Sequence, residues 1–332
     1  MRSHLSLSFV AIVSGFSFLS IGDWGDVGAK TLNPHMGTYS PEFVLAIGDN
    51  FYDTGVTGID DPQFKEKFED TFTADSLQVP WYVCAGNHDY YGGSKGIQAE
   101  MEYTQKNERW HYPSLYFSKD LVGADGTKIT LLSIDTWRIN GGDTFVAFDP
   151  ATNKSALRNI TEVLTLHAQG AITDGTVKQL LKFFPEMDPS NPIKVSKDAD
   201  QLQFIEDTLG NSSADWKIVM GHFPVHSATI FEHGDTKSLI KDLKPILENY
   251  GVDMYFSGHD HILQHIQLAN VSYFGSGAGA REHRGVNPFY KGLKGHHEGT
   301  YGFMHHEGNK TSLKTTFVAQ DGSEVYTYTI TK

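Results

Sequence analysis

Five short apolar runs in this chain each lead into a glycine followed at once by a residue able to bind a metal ion. Gly22-Asp23 follows Phe16–Ile21, and Gly48-Asp49-Asn50-Phe51-Tyr52-Asp53 follows Phe43–Ile47. Gly86-Asn87-His88-Asp89 follows Trp81–Ala85, Gly221-His222 follows Trp216–Met220, and Gly258-His259-Asp260-His261 follows Met254–Phe256. Nearly continuous apolar runs of this length suit strands buried on both faces. Glycine lets the backbone turn sharply beyond each strand. Open α/β sheets build their sites at the carboxyl ends of strands, so five such clusters can converge. Alone, a Gly-Asp after a strand is usually a turn; five in order point to a site. The donors are oxygen and imidazole, which suit Fe, Zn or Mn rather than a thiolate site. His259 and His261, two apart, can reach neighbouring but distinct ions.

The remaining chain fits one catalytic domain over residues 16–332. Further strands are expected at Leu115–Phe117 and Ile129–Ile134. Asp200–Leu209 has helical apolar spacing, with Asp198 or Asp200 as its cap. Thr236–Tyr250 reads as one helix behind Asp235, stopping at Gly251. Strand–helix alternation argues α/β. The tail differs: Gln264–Phe274, Tyr301–Glu307, Ser312–Ala319 and Glu324–Ile330 alternate in period two, as antiparallel strands do. The polar stretch Asn140–Lys197 reads as a surface insertion.

Formal net charge is −13. That argues against nucleic acid or an anionic membrane as partner. An acidic protein that handles phosphate needs local positive charge, which bound metal ions can supply. Cys84 is the only cysteine, so no intramolecular disulfide can form; it reads as a small core residue. Residues 1–15 have a basic start, a short apolar run and Val13-Ser14-Gly15, the pattern of a signal peptide. They could also be a buried first strand. Asn153, Asn159, Asn211, Asn270 and Asn309 each open a glycosylation sequon. Together these favour a secreted or lumenal protein; the leader-like run is too short to span a bilayer, and no second apolar stretch is long enough.

In these motifs the chain resembles the calcineurin-like metallophosphoesterases, and within them the purple acid phosphatases of the short, tartrate-resistant form. The likeness runs from about Phe16 to the C-terminus. Tyr52 in Gly-Asp-Asn-Phe-Tyr-Asp carries the distinction, because a phenolate is a hard anionic donor suited to Fe(III). The resemblance implies a four-layer α-β-β-α sandwich of two mixed sheets. It implies that Asp23, Tyr52 and His261 hold Fe(III), and that Asn87, His222 and His259 hold a divalent ion, Fe(II), Zn or Mn. Asp49 then bridges the two. His88 and His233 are the implied catalytic histidines, binding phosphoryl oxygens and protonating the leaving alkoxide while a hydroxide held by the metals attacks phosphorus. His233 lies two residues farther from His222 than the family pattern places it, and His226 competes for its role.

The implied activity is hydrolysis of phosphate monoesters by a monomer acting on small phosphorylated substrates, with phosphoproteins as a further class. A phosphodiesterase or nucleotide hydrolase on the same site, or a non-catalytic scaffold of the same fold, are the alternatives. The paired cysteines of the mammalian short form are missing. His296, His297, His305 and His306 read as surface or rim residues. Gly275–Gly279 lacks the capped helix of a dinucleotide loop. Trp24 and Phe51 are expected to pack beside the ligands. Asp53 and Asp89 could orient ligand histidines or simply shape turns.

Overall fold

The computed structural model describes residues 15–141 and 198–332. Residues 1–14, read as part of a leader, and most of the insertion, with Asn153 and Asn159, lie outside the described residues. The described residues form fourteen strands: β1 (Phe16–Ile21), β2 (Phe43–Ile47), β3 (Trp81–Cys84), β4 (Trp110–His111), β5 (Phe117–Val122), β6 (Lys128–Ser133), β7 (Trp216–Met220), β8 (Met254–Ser257), β9 (Leu263–Leu268), β10 (Val271–Ser276), β11 (Leu293–His297), β12 (Gly302–Gly308), β13 (Ser312–Ala319) and β14 (Glu324–Thr331). They make two seven-stranded sheets, ordered β14-β13-β12-β1-β2-β3-β4 and β11-β9-β10-β8-β7-β6-β5. Both sheets are mixed. β1, β2 and β3 run parallel, with β12 antiparallel to β1. In the other sheet β6, β7, β8 and β10 run parallel, with β9 antiparallel to β10.

The sheets face each other across an apolar core, flanked by helices as an α-β-β-α sandwich. Phe18 of β1 meets Phe256 of β8 edge-on with ring centroids 6.0 Å apart. Each such ring, fully buried, contributes about 1.5–3 kcal/mol. His306 sits in the same layer, stacked at 4.3 Å on Phe18. Its ring nitrogens meet Ser20 Oγ at 3.0 Å and Thr315 Oγ1 at 2.9 Å. It is therefore a core residue, not a rim residue: alternation on β12 turns it inward, and two hydroxyls satisfy its nitrogens. His305 is half-buried against Tyr39 and bonded to Ser17; His296 does lie exposed.

Three other departures have local causes. The stretch Thr236–Tyr250 is two helices, Lys237–Asp242 and Lys244–Asn249. Pro245 lacks an amide hydrogen and cannot continue the first. Thr236, not Asp235, is the cap residue; Asp235 accepts instead from Ser227 N at 2.9 Å and Tyr290 Oη at 2.6 Å. Gln264–Phe274 is a hairpin, β9 and β10, turning through Ala269 at φ 49°. The Leu115–Phe117 run only leads into an edge strand, β5, whose middle is exposed. Asp198 caps the helix Ala199–Asn211 by accepting from Gln201 N.

The loops that follow β1, β2, β3, β7 and β8 gather at one end of the sandwich. Asp23 N donates to Gly48 O at 3.0 Å, and Gly258 N to His222 O at 2.9 Å. Trp24 and Phe51 point away from the donors into an aromatic cluster with Trp81 and Trp110. They anchor the two loops from behind.

Candidate metal centre

Asp23, Asp49 and His259 have φ values of 57°, 51° and 69°. Only one other non-glycine described residue, Ala269, lies in that left-handed region. Such backbone is strained for a side-chain-bearing residue and clusters at functional sites. Glycines make room for it. A Cβ on Gly258 would stand 2.4 Å from Asp23 Oδ2, and one on Gly86 would stand 2.2 Å from Asp49 Oδ1.

Two groups of donor atoms result. Tyr52 Oη lies 2.9 Å from Asp23 Oδ1 and 3.3 Å from His261 Nε2. His261 Nε2 is 3.4 Å from Asp23 Oδ1, which closes the first triangle. His222 Nε2 lies 3.2 Å from Asn87 Oδ1 and 3.4 Å from Asp49 Oδ1, forming the second. Donor atoms of Asp23, Asp49 and His222 all lie within 4.8 Å of one another, so the triangles adjoin. His259 is partly buried beside the second, its ring 5.2 Å from that of His222. Its amide donates to Asp23 Oδ2 at 2.8 Å, as that of His88 does to Asp49 Oδ1 at 2.8 Å.

Two of the imidazoles are turned by their other nitrogen. His222 Nδ1 donates to Ile47 O at 2.8 Å. His261 Nδ1 meets Glu232 Oε1 at 2.8 Å, and Glu232 Oε2 accepts from His261 N at 2.7 Å. Both leave Nε2 facing the carboxylates, the arrangement of metal-binding histidines. Asn87 Nδ2 donates to Tyr91 Oη at 3.0 Å, which aims its oxygen inward.

The electrostatics fit cations. Burial disfavours charge on His222, yet Asp49 and Asp23 hold it up to about 9. Burial likewise opposes charge on His261, but its bonds to Asp23 and Glu232 raise it to about 10. Burial and the positive neighbours His222 and His233 keep His259 neutral, well below its usual value. Asp49 is buried, yet His222 and His88 hold its carboxyl well below the carboxylate range. The carboxylates thus hold protons on the facing imidazoles where ions could sit; ions would displace those protons.

His88 and His233 stand at the rim. His88 Nδ1 lies 2.6 Å from Asp53 O, and its ring is 4.4 Å from that of Tyr52. The His233 ring stacks on His259 at 3.7 Å, with Nδ1 3.3 Å from Asp260 Oδ1. In the same loop Ile230 and Phe231 are exposed, while Glu232 and His233 reach the site. His226 instead turns to Tyr290 Oη at 3.1 Å and the Tyr273 ring. Asp89 orients no histidine: it accepts from Gly86 N at 2.7 Å and Phe51 N at 3.0 Å. Asp53 holds His88 through its carbonyl. Sequence reasoning gave no role to Glu232 or Asp260. Their signal was adjacency to His233 and His261, which is too weak to separate them from other acids.

Residues 16–263 match the family model of the calcineurin-like phosphoesterases. The chain is 32% identical to human tartrate-resistant acid phosphatase type 5 over 330 residues, covering 93% of this chain and 89% of that protein. It is 30% identical to purple acid phosphatase 4 of Arabidopsis thaliana, covering 95% and 84%. Among solved structures it resembles GAP50, the anchor in the inner membrane complex of Plasmodium, with a TM-score of 0.70 at 20% identity, covering 95% and 88%. That last likeness is one of fold.

Proposed function

Because the chain belongs to the calcineurin-like phosphoesterases and matches acid phosphatases along nearly its whole length, we propose that it is an acid phosphatase that hydrolyses phosphate monoesters at a two-metal centre. The observation that carries this reading is the pair of adjoining donor triangles, Asp23–Tyr52–His261 and Asp49–His222–Asn87. Bound there, two cations would supply Lewis acidity toward a phosphoryl oxygen and a lowered pKa for water.

Asp23, Tyr52 and His261 would hold Fe(III). Asn87, His222 and His259 would hold Fe(II), Zn or Mn, with Asp49 between the two. Burial and the neighbouring Asp23 and Asp49 carboxylates push the Tyr52 phenol well above its usual range. A phenolate is a hard anionic donor, which suits a trivalent ion on that side. His88 and His233 flank the mouth and would bind the phosphoryl group of small phosphorylated substrates. Asp260 accepts from His233 Nδ1, which leaves Nε2 to carry a proton to the leaving alkoxide.

The secretory route is part of the same reading. The leader-like residues 1–15 and five sequons support it, with Asn211 exposed at a helix end and Asn270 exposed at a turn. The decisive experiment is a visible spectrum of the purified protein read beside its iron and zinc content. A charge-transfer band with iron present is expected. A colourless protein holding two metals per chain would exclude Tyr52 as a ferric ligand.

A further inference from the structure

Arg281 follows β10 on a segment tied to the first site loop. Ala280 N donates to Asp23 O at 2.8 Å and Gly279 N to Gly22 O at 3.0 Å. From that root Arg281 Cζ lies 4.5 Å from the centroid of the Tyr52 ring. Its Nη2 bridges Asp26 Oδ2 and Asp53 Oδ1, each at 2.8 Å. Asp53 directly follows Tyr52, and Lys67 Nζ donates to the Tyr52 carbonyl. The ring whose oxygen enters the donor triangle is thus gripped by a guanidinium on its π system and by a lysine on its backbone.

A cation within about 6 Å of a ring centroid is drawn to its electrons. Exposed ion pairs contribute little by themselves, so Asp26 and Asp53 chiefly aim the guanidinium. Asp53 is largely exposed and Asp26 partly so, and water screens both carboxylates, whereas the guanidinium touches the ring. The net field on the ring is therefore that of the cation.

We propose that Arg281 is a positioning residue for Tyr52. It fixes the phenol oxygen over Asp23 and His261 and restrains electron donation from that oxygen. The inference rests on the two-metal reading above. A cation against the ring stabilises its electrons. Promoting one of them onto a trivalent ion then takes more energy, so the colour band lies at shorter wavelength than it would without Arg281.

The test is the visible spectrum of Arg281→Met and Arg281→Lys beside wild type, at matched iron content and far-UV circular dichroism. Met keeps the stem and removes the charge. Its band should move to longer wavelength on the order of 10 nm, the optical equivalent of an exposed cation–π contact. Lys keeps a charge but lacks the fork that spans Asp26 and Asp53, so its band should fall between the two. If Arg281→Met instead loses iron and Arg281→Lys retains it, positioning is supported. A coloured wild type with both variant bands unmoved overturns this inference alone. A colourless wild type with two metals overturns the phenolate reading, and this inference with it.

Discussion

Glu232→Gln isolates the support of one metal-facing histidine. Glu232 is the sole side-chain acceptor on His261 Nδ1 among the described residues, at 2.8 Å, and it also accepts from His261 N at 2.7 Å. A glutamine of the same shape carries one oxygen and one NH2 group. With two donors facing it, one donor must meet another donor, so one charge-assisted bond is lost. Such bonds contribute about 1.5–3 kcal/mol. At about 1.4 kcal/mol per decade, affinity for the ion on His261 should fall roughly 10- to 150-fold. Removal of groups that orient metal ligands costs about 10- to 100-fold in other systems, which agrees. The assay is metal titration of the apoprotein with iron and zinc analysis, alongside kcat/KM for 4-nitrophenyl phosphate. Glu232→Asp keeps the charge but shortens the reach, so it should fall between glutamine and wild type. A folded Glu232→Gln with wild-type affinity and kcat/KM would refute the reasoning, because His261 would then be held by its packing alone.

The two loop histidines should separate cleanly. His233→Ala removes the proton carrier beside His259 and should lower kcat/KM about 100-fold or more, flattening one limb of the pH profile; His226→Ala, whose partner is Tyr290, should leave both within about twofold. Equal losses in the two variants would reject this assignment. Asp135 is buried, and burial raises its carboxyl to about 6 against the bond from Tyr90. It therefore keeps a proton in the folded state that the unfolded chain, at about 4, gives up. Its contribution to stability is fully present below pH ~4 and is lost as pH rises to ~6, by about 3 kcal/mol at most. Urea midpoints of wild type minus Asp135→Asn, measured across that window, should fall by this amount, and a flat difference would contradict it. Enzymatic deglycosylation of secreted protein should lower its apparent mass; an unchanged mass would tell against the secretory reading.

What the sequence alone determined was the local part of the site. Each ligand type follows an apolar strand and a glycine, and local order places it at a strand end wherever the strand packs. The roles of Asp23, Asp49, Tyr52, Asn87, His222, His259 and His261 as ligands came instead from the family resemblance that these motifs carry; the structure brings donor atoms of Asp23, Tyr52 and His261, and of Asp49, Asn87 and His222, within reach of one another. The strand–helix alternation likewise gave the α/β class, because side-chain periodicity is a short-range property. Tertiary structure decided whatever depends on distant partners. Arg281 reaches the Tyr52 ring across the sheet interface, and Glu232 reaches His261 from another loop. His306 turned out buried because the second sheet covers it, a fact no period-two pattern contains. That His233, not His226, stands beside His259 also depends on distant partners. Asp260 holds the loop through His233 N and Thr229 Oγ1, and Gly285 through Ile230 N, contacts that no local pattern contains.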